Sequence, residues 1–247
     1  MRILPARLRL SCAIGVLAAG AAVGGCAGTP AALFHTGPDA GHPATTSHTV
    51  WLAASGRSDA ALAVVSGAAT LTVSTAPLAG QLLRVRTPAN SGVRPQLVQT
   101  DGRVQLFLAS TGQSGPSAVW IELNESVRWQ LQFSGGASQT VLDLRHGQVG
   151  GIDFTAGSSL ISMMLPRPHG TTTITLAGGA SQVDIGVPAG ILTQLQLDGG
   201  ASTATVGGQT HVGLGGGSVL TPPGWASTVN RYNVSAPAGV SSISVTS

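Results

Sequence analysis

Four segments decide the architecture: WQLQFSGGASQ at residues 129–139, GIDFTAGSSL at 151–160, TTITLAGGASQVD at 172–184 and LTQLQLDGGASTA at 192–204. Aligned on Gly135-Gly136-Ala137-Ser138, Ala156-Gly157-Ser158-Ser159, Gly178-Gly179-Ala180-Ser181 and Gly199-Gly200-Ala201-Ser202, they recur at offsets of 21, 22 and 21 residues. A fixed period near 20 residues marks a repeat architecture, in which each unit buries its apolar side only against a neighbour. Before each small cluster stand two alternating apolar residues: Leu131 and Phe133, Ile152 and Phe154, Ile174 and Leu176, Leu195 and Leu197. That is strand periodicity. After the third cluster, Val183, Ile185 and Val187 form a second short strand, which ends at the turn Pro188-Ala189-Gly190.

Two geometries fit the period. In an antiparallel sandwich or meander, the Gly pairs 135–136, 178–179 and 199–200 would be hairpin turns. In a β-solenoid, each 21-residue unit is one coil and the same glycines stack at a corner. Neighbouring coils lie about 4.8 Å apart, so a bulky side chain at a tight bend would strike the next coil. Recurrence of small residues at one position favours the solenoid. Outside the repeats, residues 61–74 and 117–123 also read as short strands, and QLVQTDGRVQLFL at 96–108 alternates on both sides of Asp101-Gly102, a two-residue hairpin signal. No window from 49 to 247 carries a capped helical period. The expected organisation is an all-β domain over 49–247, with its repeats clearest over 129–210.

The GGAS-type corners, the VPAG at 187–190 and the closing PGW, RY and AGVSSISV stretches of 223–245 resemble the putative-adhesin, or toastrack, domains of bacterial envelope proteins. These are all-β, solenoid-like domains related to the C-terminal domains of cell-wall-active antibiotic response regulators. The likeness is good over residues 120–247 and loose over 49–119. It implies a surface-displayed module with an envelope, sensing or adhesive role, and it brings no catalytic residues with it.

The N-terminus supplies an address. Arg2, Arg7 and Arg9 precede an uncharged stretch from Ser11 to Gly25 that is too short and too Gly-rich for a comfortable membrane span. Val23-Gly24-Gly25 before Cys26 resembles the bacterial lipobox. The resemblance implies removal of residues 1–25, lipid on the Cys26 sulfur, and a protein held to the cell membrane on its extracytoplasmic side. Cys12 is the only other cysteine and lies in the stretch to be removed, so the mature chain could form no internal disulfide. Residues 26–48, rich in Gly, Pro, Thr, Ala and His, read as a tether. His35, His42 and His48 are spaced along it without acidic or cysteine partners, so no metal site is assigned.

Charge is scarce. Only 9% of the 247 residues are charged, and all 12 basic residues are Arg. The pI of 9.7 belongs to the precursor: without Arg2, Arg7 and Arg9, nine Arg face seven Asp and two Glu. A neutral body without a basic patch excludes nucleic acid as a partner. The partners expected are the membrane, through the lipid, and either a cell-wall glycan or another envelope protein.

Catalytic chemistry finds little support. There is no Gly-x-Ser-x-Gly elbow. The rival reading, a β-helical carbohydrate-active enzyme, needs clustered carboxylates. Asp143, Asp153, Asp184 and Asp198 stand at different offsets from their Gly clusters, which places them apart. Asp143 and Arg145 are expected to pair at a coil edge, with His146 in the turn that follows. A transporter-type binding lipoprotein is disfavoured because no βαβ alternation occurs. The expectation is therefore a non-enzymatic protein without a cofactor. Trp51, Trp120, Trp129 and Trp225 could stack on sugar rings or fill the core. Of these, Trp225 in a Pro-rich loop is expected to be partly exposed, with Arg231 and Tyr232 beside it, either packed on it by cation–π stacking or as surface contacts to a ligand.

Overall fold

The computed structural model describes residues 48–100 and 102–247. The leader (1–25), the lipobox Val23-Gly24-Gly25, Cys26, the tether up to residue 47 with His35 and His42, and Asp101 of the hairpin lie outside the described residues.

The fold is a two-sheet β-solenoid. Each coil contributes one strand to a nine-stranded sheet and the next strand to a ten-stranded sheet. In chain order the coils are β2 (Asp59–Val64) with β3 (Ala68–Ala76), β6 (Arg103–Ser110) with β7 (Ala118–Asn124), β8 (Arg128–Phe133) with β9 (Ala137–Asp143), and β10 (Gln148–Phe154) with β11 (Ser158–Met164). They continue with β12 (Thr171–Leu176) and β13 (Ala180–Gly186), β14 (Thr193–Leu197) and β15 (Ala201–Val206), and β18 (Arg231–Ser235) and β19 (Val240–Thr246). Strands of neighbouring coils pair in parallel and in register, which excludes the meander. The remaining strands pair antiparallel at the two ends. β1 (His48–Ala53) pairs with β4 (Gln81–Thr87), and β4 pairs with β7. β5 (Val93–Thr100) pairs with β6, matching Thr100 with Arg103 around Gly102 at φ +78°. At the other end β16 (Gln209–Leu214) pairs with β15, and β17 (Ser218–Leu220) with β14. The only helical element among the described residues is a single 3-10 turn, Trp225–Ser227.

Parity decides what is inside. Leu131, Ile152, Ile174, Val234 and Leu195 form one buried row of the nine-stranded sheet. Val73, Leu142, Met163, Ile185 and Val245 face them from the ten-stranded sheet. Phe133 and Phe154, one coil apart, stack with ring centroids 4.7 Å apart. Such rows bury apolar area continuously, at about 25 cal/mol per Å², in a chain that has almost no ions to organise it.

The tight corner explains the glycines. Ser134-Gly135-Gly136, Thr155-Ala156-Gly157 and Ala177-Gly178-Gly179 connect the two strands of successive coils. A Cβ on Gly157 would stand 3.0 Å from the Gly178 carbonyl oxygen, and one on Gly67 2.7 Å from that of Gly136. Backbone meets backbone there.

Stacking order departs from chain order at both ends. β2 and β3 lie between the coil β6–β7 and the coil β8–β9. The closing coil β18–β19 is inserted between β12–β13 and β14–β15, so Val240 is in register with both Ala180 and Ala201. The fourth GGAS segment therefore does not stack on the third. Its neighbour is Ala238-Gly239, a corner without a Gly pair.

Candidate functional site

The solenoid presents two flat outer faces and a corner groove. On the nine-stranded sheet, Gln130, Gly151, Thr173, Asn233 and Gln194 form one outward row, and Gln132, Asp153, Thr175, Ser235 and Gln196 the next. These strands fold with apolar residues on one parity and amides or hydroxyls on the other, so parallel stacking lines the polar side chains up about 4.8 Å apart. Gln130 lays its amide over the backbone of Gly150 and Gly151, where any Cβ would collide with it.

Along the tight corner runs a second ladder. Ala137, Ser158, Ala180, Val240 and Ala201 are in register, so the residues after them, Ser138, Ser159, Ser181, Ser241 and Ser202, form one row, and all five are exposed. The glycines beside them leave shallow grooves, one lined by Gly157, Ser159, Gly179 and Ser181, and another by Gly199, Ser202, Gly215 and Ser241. Gly135, Gly136, Gly178, Gly179, Gly199 and Gly200 all lie at this corner, with Gly179 at φ +73° and Gly200 at φ +77°.

The acids are dispersed. Asp153 faces outward from one sheet, whereas Asp143 and Asp184 belong to the other. β11 lies between the strands of Asp143 and Asp184, and their registers differ by two residues. That separates their Cα atoms by about 12 Å. Asp198 follows β14 in a corner. Asp184 accepts hydrogen bonds from Gln182 Nε2 and Ser244 Oγ, both at 2.7 Å. Asp143 accepts two from Arg145, at 2.9 Å from Nε and 2.7 Å from Nη2. The Arg145 guanidinium, the largest influence, holds the Asp143 carboxyl below the usual carboxylate range. Among the described residues, no three His, Cys, Asp or Glu side chains gather in a way that could hold a metal ion.

The suspected contact trio takes a different form. Tyr232 is not a surface residue: it shares the inward parity of Val234, is fully buried, and donates its hydroxyl to the Pro166 carbonyl at 2.8 Å. Burial pushes its phenol well above the ordinary value. Trp225 donates from Nε1 to the Tyr232 carbonyl at 2.9 Å, and the Arg231 guanidinium lies 4.1 Å from its ring centroid. Arg231 also donates to the carbonyls of Trp225 and Ala226 and to Thr171 Oγ1. These groups clasp the 3-10 turn onto the last coils and are committed to one another.

Of the four tryptophans, Trp120 is the one whose exposure the sequence did not single out. It is 41% exposed, whereas Trp129 is buried and donates to the Asn124 carbonyl. Strand parity carries the signal: Trp120 alternates in phase with Glu122 and out of phase with Val119, Ile121 and Leu123, while Trp129 is in phase with Leu131 and Phe133. Around Trp120 stand Arg84, Arg86, Glu122 and, across β4, Trp51, a concentration of charge and aromatic surface on the ten-stranded face.

Comparison with known proteins agrees on the fold. No family model and no curated protein matches the chain. Among solved structures, a putative cell adhesion protein from Clostridium sporogenes ATCC 15579 superposes with a TM-score of 0.58 at 14% identity, over 81% of this chain and 99% of that one. A putative adhesin from Bacteroides fragilis NCTC 9343 aligns over 82% of this chain and 98% of that one, at 9% identity and a TM-score of 0.31.

Proposed function

We propose that the chain is an exported, lipid-anchored binding scaffold of the cell envelope, adhesin-like and without catalytic activity. Cys26 carries the anchor, residues 27–47 set the reach, His48 already belonging to β1, and the solenoid displays its polar faces to a wall glycan or to another envelope protein. The observation that carries this reading is the pair of in-register rows on one sheet face, mostly hydroxyls and amides with Gly151 and Asp153 among them. Groups fixed in register can hydrogen-bond a repeating polymer without paying the ordering entropy that a loop would. Asp143 and Asp184, whose Cα atoms stand about 12 Å apart, and Asp153 on the other sheet lack the pairing by which glycoside hydrolases cleave. The adhesion protein of the same fold is consistent with display.

Two experiments test the proposal. Metabolic labelling with a fatty-acid probe should mark the wild-type chain and not Cys26→Ala; label surviving in the variant contradicts the anchor. Full-length protein in detergent micelles should be retained on purified cell wall above a control β protein, and absence of retention contradicts the scaffold.

A further inference from the structure

At the end of the ten-stranded sheet formed by β1, β4 and β7, two adjoining outward rows place aromatic and basic groups together. In one row Trp51 is opposite Arg84, and Arg84 is opposite Glu122; in the next, Thr49 is opposite Arg86, and Arg86 is opposite Trp120. The two arginines thus lie between Trp51 and Trp120, whose Cα atoms are about 12 Å apart across β4.

The two cations are not equivalent. Arg84 Nε donates to Glu122 Oε2 at 2.7 Å, a full charge-assisted hydrogen bond. Arg86 Nη2 stands 3.5 Å from the same oxygen, and its side chain is 47% exposed. Glu122 therefore holds Arg84 by a short hydrogen bond and Arg86 only by a looser ion pair through one nitrogen, so part of the exposed Arg86 guanidinium still faces solvent. Two arginines against one glutamate leave one positive charge, on a chain whose Arg and acid counts balance overall after residue 25. Next to Arg86 in register is Trp120, the only aromatic among the large exposed apolar side chains of the described residues. In the neighbouring coil, Thr72 and Ser74 continue the two rows with hydroxyls.

An exposed indole offers a flat face to the C–H side of a sugar ring, and a half-exposed guanidinium offers donors to a carboxylate or phosphate. Hydroxyls in line extend the contact along a polymer. We infer that this face binds an acidic glycan, its sugar rings bearing carboxylate or phosphate groups, with Trp120 stacking on a ring and Arg86 pairing with the anion. The inference rests on the scaffold reading and names its ligand class.

Calorimetry on the full-length chain in micelles tests it, with polygalacturonate, a poly(glycosyl phosphate), a neutral glucan and poly-glutamate as ligands. One of the two acidic glycans should bind, and which one identifies the anion. Trp120→Ala and Arg86→Gln should each weaken that binding roughly tenfold or more, as loss of a charge-assisted bond or a stacked ring implies. Arg145→Gln, whose cation lies elsewhere, should bind as wild type, and matching thermal transitions keep the comparison fair. Equal affinity for poly-glutamate would overturn the inference, as would acidic-glycan binding unchanged in both variants. Failure to bind either acidic glycan while purified wall is still retained overturns the ligand class and leaves the scaffold. Loss of wall retention as well removes both.

Discussion

Gly239 rests against Gly199. A Cβ on Gly239 would lie 3.0 Å from the Gly199 carbonyl oxygen, and Val240 N donates to the Gly200 carbonyl at 3.2 Å. The corner of the last coil in the chain is thus seated on one made forty residues earlier, and its other side meets Gly179, whose Cβ would stand 3.2 Å from the Gly239 oxygen. The closing coil is an internal layer.

Removing that layer should therefore damage the fold more than trimming a terminal cap would. Deletion of residues 229–247 takes away the parallel partners of β12, β13, β14 and β15 at once. The expected outcome is loss of the cooperative urea transition, or exposure of apolar surface to a dye such as ANS. A deletion variant that melts like the full chain would contradict the inserted order.

The stacked corner should reject side chains where backbone lies opposite. Gly157→Val should cost about 1–3 kcal/mol in urea unfolding, because its branches meet the backbone of Gly178 and Gly179. Gly215→Ala meets nothing within 4 Å and should stay within about 0.5 kcal/mol of wild type.

Much of this was legible in the sequence, for a physical reason. Parallel stacking at about 4.8 Å forces identical small residues to one corner and alternating apolar residues into rows, so composition and period both report it. The order of the coils was not legible. Spacing measures the length of a unit and not which unit lies beside it, and the corners Ser66-Gly67 and Ala238-Gly239 lack the Gly-Gly-Ala-Ser signature that marks three of the others. Trp225 is partly exposed, as its Pro222-Pro223-Gly224 loop suggests, but the more exposed ring is Trp120, which its parity within β7 identifies. Tyr232, in phase with Val234, follows the same rule inward.

Tyr232 is the chain's only tyrosine, so its ultraviolet phenolate signal reports one site. Because burial raises its pKa in the folded state, its contribution to stability is complete below the unfolded value of about 10 and is lost as pH rises beyond it. Phenolate should appear only together with unfolding. Tyr232→Phe, which strips the Pro166 carbonyl of its donor, should cost about 1–2 kcal/mol.

The Asp143 carboxyl is held down by Arg145, so its contribution is present above the ordinary carboxylate pKa and fades as pH falls through the lowered one. An NMR titration should give Asp143 a midpoint below that of an ordinary aspartate, and Arg145→Ala should return it to the usual range. An unchanged midpoint in the variant would refute the pairing.

Binding without cleavage is the central claim, and one measurement addresses it directly. Purified cell wall is incubated with stoichiometric full-length protein, and bound protein and soluble reducing sugar are followed together over time. The account predicts steady retention with no sugar released above the protein-free control; release that grows with time would contradict it.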